Sequence, residues 1–252
     1  MKTISIINLK GGVGKTVTSA NMAHILAVVY NQRVLLVDGD KQGNLSQFYG
    51  VHGYDHFTVA DILTGRHKFV EEIILPTKYA GLDIIPANMH LIACAGQVDK
   101  LEQLKLALDE VSDQYDYCII DNAPDINACT INALMASDTV IIPLKIDKFA
   151  FAGVSVLVEQ IVSIMKMNPM LNFIGCLVTS YVANEVNMQG VEWMDDGLPY
   201  YIFNTKIRRT EKVDESTFAA VPIIEYSPRC GAAKDYKAFV AEFWGGDDCA
   251  KG

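Results

Sequence analysis

No stretch of this 252-residue chain stays apolar for the roughly 18 residues that a membrane-spanning helix needs, so no helical span is expected. The first residues pass straight into an apolar run without a charged-then-apolar leader, and a cytoplasmic location is expected. No close C-x-x-C pair occurs among the six cysteines, Cys94, Cys118, Cys129, Cys176, Cys230 and Cys249, which points to reduced thiols and not to a disulfide framework. Cys118 and Cys176 lie inside apolar runs and read as small core residues. The five histidines, His24, His52, His56, His67 and His90, have no metal-ligand spacing. Positive charge is short as well. With 21 Lys and Arg against 30 Asp and Glu the net charge is −9, so the chain cannot coat nucleic acid and any DNA contact needs a local patch. Repeats, low-complexity runs and Pro/Ser-rich linkers are missing, so residues 1–252 are expected to form one domain, with 245–252 as a polar, frayed tail.

What is present is a well-buried core, with 50% hydrophobic and 20% charged residues, and one dense signal near the start. Asn8-Leu9-Lys10-Gly11-Gly12-Val13-Gly14-Lys15-Thr16 follows the apolar run Ile4-Ser5-Ile6-Ile7 and precedes a helical segment. A strand that stops at a glycine-rich turn and restarts as a helix aims several backbone N–H groups into one concavity at a positive helix end, a cradle for polyphosphate. Lys15 then reaches the β- and γ-phosphates and the Thr16 hydroxyl serves Mg²⁺. The strict P-loop pattern places a glycine where this chain has Leu9; the variant present is KGGVGKT, with a second lysine, Lys10. A glycine turn without a ligand is the bland alternative, and the joint presence of strand, turn, GKT and helix weighs against it.

The rest of the pattern is α/β. A helix at 15–29 and an apolar strand at 34–38 complete one right-handed βαβ unit, which sets a parallel sheet. A short helix at 57–63, a strand at 82–86 and a helix at 98–111 follow. Unbroken apolar runs at 117–121, 139–143 and 173–179 suit strands buried on both faces. Helices are expected at 151–167, 184–196 and 232–244, and a strand at 200–203.

Phosphoryl transfer needs a metal, cations and a group that places the attacking water. Asp121 ends the apolar run Cys118-Ile119-Ile120, where a carboxylate for Mg²⁺ is expected. Asp38 also ends a strand, and Asp40 lies two residues on, on the same side of an extended chain.

Four blocks carry a family resemblance: KGGVGKT; Val34-Leu35-Leu36-Val37-Asp38-Gly39-Asp40-Lys41-Gln42-Gly43-Asn44; the run from Tyr115 to Leu134; and Phe203-Asn204-Thr205-Lys206-Ile207-Arg208-Arg209 with Ile224-Glu225-Tyr226-Ser227-Pro228-Arg229. Together they span nearly the whole chain, which resembles the deviant Walker A ATPases of the ParA/Soj/MinD group. The resemblance implies a doubly wound, mostly parallel sheet flanked by helices, an ATPase with ATP and Mg²⁺ as cofactors, and a homodimer formed with ATP. It implies that Lys10 reaches the partner's ATP and that Gly11, Gly12, Val13, Gly14, Lys15, Thr16 and Val17 hold the nucleotide. It gives Asp40 the water, with Lys10 and Lys15 as its catalytic companions, places Asp38 near Thr16, Asp121 and the metal, and sets Ile207 and Arg208 against adenine. Ala123-Pro124-Asp125 and Lys41 depart from the family pattern and bear on turnover, not on nucleotide binding.

The partition branch further implies a ParB-like adaptor and non-specific DNA binding in the ATP state, hence association with the nucleoid. Residues 200–240 carry seven basic against five acidic side chains, and Arg229, Lys234 and Lys237 are the candidates for DNA. A MinD-like membrane role needs a terminal helix with a basic polar face; the stripe Tyr236, Phe239, Val240, Phe243 has a mixed one, so no membrane contact is expected. An iron–sulfur reductase like the nitrogenase iron protein is the third reading, resting on Cys94 and Cys129.

Overall fold

The structure, a computed structural model, describes residues 1–67, 69–97, 99–147, 150–197 and 200–250. In chain order the elements are β1 (Lys2–Ile6), α1 (Lys15–Val28), β2 (Val34–Gly39), α2 (Asn44–Phe48), α3 (Val59–Thr64), β3 (Leu75–Pro76) and β4 (Leu82–Ile85). There follow α4 (Gln103–Glu110), β5 (Tyr117–Asn122), α5 (Ala128–Met135), β6 (Thr139–Leu144), α6 (Ala150–Met165) and β7 (Asn172–Val178). The last part is helical: α7 (Glu185–Gly197), α8 (Glu211–Phe218), α9 (Ile223–Tyr226) and α10 (Gly231–Ala250).

The apolar runs become one seven-stranded sheet in the order β3-β4-β2-β5-β1-β6-β7. All pairings are parallel except β3 with β4. Every residue of β5 and of β6 is buried, as strands covered on both faces must be. Alternation along β6 and β7 sorts side chains to two sides. Ile141 and Leu177 face a core shared with α1 and α10, whereas Val140, Ile142, Leu144, Cys176 and Val178 face one shared with α6 and Met194 of α7.

Three expectations change. Residues 200–203 do not form a strand: Ile202 makes a single parallel bridge to Cys176, after which Glu242 accepts from the Asn204 and Thr205 backbone N–H groups (2.7 and 2.9 Å) and draws the chain off the sheet edge. The expected frayed tail is helical instead, α10 running to Ala250, anchored where Trp244 stacks on Tyr30 at 4.8 Å; residues 251–252 lie outside the described residues. The helix expected from 98 begins at Gln103, and residue 98 itself is outside the described set.

Candidate functional site

The turn between β1 and α1 works because glycine occupies its left-handed positions: Gly12 has φ 72° and Gly14 φ 85°. Gly14 is also the N-cap of α1. No side chain caps this end and no acid sits in the first turn, so its N–H groups are left for an anion. Gly11, Gly12, Gly14, Lys15, Thr16 and Val17 line a cavity of about 610 Å³. Val13 points the other way, 2% exposed, its carbonyl accepting from the Thr179 hydroxyl at 2.8 Å. Lys15 is 8% exposed and its Nζ donates to the Lys10 carbonyl at 3.2 Å. Burial lowers its pKa, while Asp121, Asp40 and Asp125 oppose that shift.

Two carboxylates stand beneath the cavity. Asp38 and Asp121 are register partners on β2 and β5, so both side chains leave the sheet on one side. The strands approach tightly there: a Cβ on Gly39 would lie 2.8 Å from the Asp121 carbonyl oxygen. Asp121 Oδ2 accepts from the Thr16 hydroxyl at 2.6 Å, and the Ser19 hydroxyl is shared between Asp121 Oδ1 (3.2 Å) and the Lys15 carbonyl (3.0 Å). Asp38 is set further back. Its Oδ2 accepts from the backbone N–H and hydroxyl of Ser46 (2.8 and 2.7 Å), and its Oδ1 from the Asp40 N–H (3.1 Å). Burial raises both pKa values; for Asp121 the neighbouring Asp38 adds to the rise and the Thr16 hydrogen bond opposes it.

Two buried carboxylates with raised pKa values mark a place that gains from a cation. Thr16 Oγ1 and Asp121 offer hard oxygens, the donors that a small divalent ion prefers. Among the described residues no group of three or more His, Cys, Asp or Glu could hold a metal alone. An ion here would therefore draw its remaining ligands from water and a phosphate, the usual arrangement for Mg²⁺.

Asp40 lines the cavity at the β2 end, together with Gln42 and Asn44. Lys10 does not line it; it is paired with Asp147, at 42% side-chain exposure. At the far end Ile207 and Arg208 both line the cavity. Ile207 is 3% exposed and belongs mainly to the core. The Arg208 guanidinium is bound bidentately by Asp235 (2.7 and 2.6 Å), whose side chain is 9% exposed. Arg209, Thr210 and Asp214 line the same end, and Lys145 and Ser180 line another part of the wall. Sequence reasoning missed these five. Arg209 stood inside a block already singled out, and among the described residues its side chain makes no hydrogen bond or ion pair.

The remaining candidates lie elsewhere. Arg229, Lys234 and Lys237 are exposed, the two lysines on α10. The stripe Tyr236, Phe239, Val240 and Phe243 is spent on the core against α1, and no helix among the described residues is long and apolar enough to cross a membrane. Cys94 and Cys129 are 1% and 8% exposed, with their thiols directed at the Ala60 and Leu91 carbonyls. Thiols so enclosed do not present themselves for a cluster shared between two subunits.

The AAA-domain family profile matches residues 1–173. The sporulation initiation inhibitor protein Soj of Bacillus subtilis is 37% identical over 244 residues, covering 93% of this chain and 95% of that protein. Among solved structures, cobyrinic acid a,c-diamide synthase from Mycobacterium smegmatis with bound ADP and magnesium is 27% identical, with a TM-score of 0.81, covering 96% of this chain and 93% of that one. A putative plasmid partition protein from Borrelia burgdorferi bound to AMPPNP is 25% identical, with a TM-score of 0.82, covering 96% and 98% of the two chains.

Proposed function

This chain belongs to the Soj/ParA family of P-loop proteins, and on that premise we propose that it is an ATP-dependent dimerisation switch used in partitioning DNA. The observation that carries the reading is the uncapped α1 terminus opening into the cavity, with Thr16 on Asp121 at its base. ATP occupies the cavity with its phosphates on the turn from Gly11 to Thr16. Lys15 offsets charge on the β- and γ-phosphates, Thr16 and Asp121 would hold Mg²⁺, and Asp38 fixes the strand end behind them through Ser46. Mg²⁺, when bound, would supply neutralisation of phosphate charge. Asp40 orients the attacking water, and Lys10 serves the nucleotide of a second copy. Adenine lies at the end walled by Arg209 and Asp214, where an Arg face can stack on a purine.

Hydrolysis resets the switch, with a ParB-like adaptor as its accelerator. DNA is held without sequence preference in the ATP state through Arg229, Lys234 and Lys237. With two to four phosphate contacts per dimer, log K falls with log salt at a slope on the order of −2 to −4. Sedimentation of the Asp40→Ala variant with ATP and with ADP tests the switch: a dimer only with ATP is expected, and a variant that binds ATP yet stays monomeric overturns it. Charge reversal at the three basic residues tests the DNA surface, and unchanged binding removes them from it.

A further inference from the structure

The phosphate turn has two flanks, because β1 lies between β5 and β6 in the sheet. On the β5 flank stand the acids, Asp121 with Asp38 on the strand beyond it. The β6 flank is built differently. The Asn8 side chain donates to the Pro143 carbonyl at 2.8 Å, and the Thr179 N–H to the Leu144 carbonyl at 2.7 Å. The Thr179 hydroxyl is shared between the Val13 carbonyl of the turn (2.8 Å) and the Leu144 carbonyl (3.1 Å). These bonds tie the ends of β6 and β7 to the turn, and the next residue of each, Lys145 and Ser180, enters the cavity wall.

Neither side chain has a partner of its own. Among the described residues the exposed Lys145 ammonium makes no hydrogen bond or ion pair, and the half-buried Ser180 hydroxyl makes no hydrogen bond. Ser180 is also held at φ 50°, a left-handed conformation that costs serine and that glycine adopts freely. Strain of this kind collects where a fold positions a group for use.

A cation and a hydroxyl without acceptors, on the wall of a cavity that also presents the N–H groups of the α1 terminus, are complemented by phosphate oxygens. We propose that Lys145 and Ser180 hold the phosphate chain of the nucleotide from the β6–β7 flank, opposite the carboxylates, Lys145 by charge and Ser180 by donating a hydrogen bond. The proposal rests on the nucleotide reading of the cavity and adds to it a contact that needs neither the metal nor a second copy. One protomer thereby brings two lysines of its own to the phosphates, Lys15 and Lys145, while Lys10 stays outside the cavity on Asp147.

Calorimetric titration of ADP and ATP, with Mg²⁺ and with EDTA, into the parent and its variants tests this. Lys145→Gln should bind ADP about tenfold more weakly, and the loss should persist in EDTA. Its affinity should also fall less steeply with added salt than that of the parent. Lys145→Arg, which restores the charge, should recover most of the binding. Ser180→Gly, which suits the backbone at φ 50°, should melt no lower than the parent and still lose about threefold or more in ADP affinity. Parental ADP affinity in Lys145→Gln or Ser180→Gly, a loss that Lys145→Arg does not recover, or a loss confined to the Mg²⁺ samples overturns the proposal. Lys15→Ala is the reference. If it loses ADP while Lys145→Gln does not, the nucleotide reading stands and this contact alone falls; if it binds ADP like the parent, both fall.

Discussion

An ion pair joins Lys10, at the start of the phosphate turn, to Asp147, in the segment that follows β6. The two lie 137 residues apart in the chain, and their side chains are 42% and 35% exposed. A pair so open to water contributes at most about 1 kcal/mol. That is weak enough to be exchanged for a nucleotide phosphate, yet enough to bias where Lys10 points.

Asp147→Asn is therefore expected to free Lys10 and ease ATP-dependent association. In an Asp40→Ala background, the protein concentration at half-dimerisation should fall by roughly two- to fivefold, the equivalent of up to about 1 kcal/mol. Analytical ultracentrifugation reads this directly, and an unchanged midpoint means that the pair does not restrain Lys10.

Arg208 and Arg209 are adjacent, yet their substitutions should be felt in different measurements. Arg208→Ala strands the largely buried Asp235 carboxylate and should lower stability by about 1–3 kcal/mol. Arg209→Ala should leave the melting temperature in place and weaken nucleotide binding by roughly 3- to 30-fold, the range of a cation–π contact. Thermal melts and nucleotide titrations of the two variants, compared side by side, decide it; a reversed pattern returns the base contact to Arg208.

Asp121→Asn removes one of two adjacent buried carboxylates. The ligand-free variant should melt about 2–4 °C higher, corresponding to roughly 1 kcal/mol of relieved repulsion and desolvation. The added stability that Mg²⁺ with ATP confers on the parent should be absent. A variant that melts lower without ligand shows that the hydrogen bonds from Thr16 and Ser19 outweigh the repulsion.

His24, fully buried on α1, supplies a pH dependence. Burial, with the Lys78 charge, pushes its pKa down to about 4, although the Glu225 carboxylate of α9 lies 3.3 Å from Nε2. The Tyr79 ring, 4.4 Å away and itself against Tyr49, completes its surroundings. The folded chain thus binds fewer protons here than the unfolded chain between pH about 6.5 and about 4, so stability falls as pH falls through that window. The loss approaches about 3 kcal/mol at its lower end. His24→Leu should flatten this limb in urea melts at stepped pH; an equally steep limb places the effect on other groups.

The strands were legible because burial on both faces leaves an unbroken apolar run, and the phosphate turn because its glycines answer a local backbone demand. What lay hidden was set by partners far along the chain. The sequence shows Arg208 but not its partner Asp235, 27 residues later, nor that Arg209 lines the cavity beside it. Asp38 reads as a metal-side acid, and nothing in the sequence announces that Ser46, within α2, also donates to its Oδ2. Helices α8 and α9 are short and have few buried positions, so no apolar period announces them. The 200–203 run has strand chemistry and meets the β7 edge at Cys176, but Glu242 diverts the chain immediately after it.

The two sides of the sheet also differ in what they can touch. Lys234 and Lys237 stand on α10, packed over the α1 side, while Glu185 and Glu192 stand on α7, packed over the other. The two rows are separated by the full thickness of the sheet and its helices, so a substitution in one is not felt electrostatically as a direct neighbour by the other.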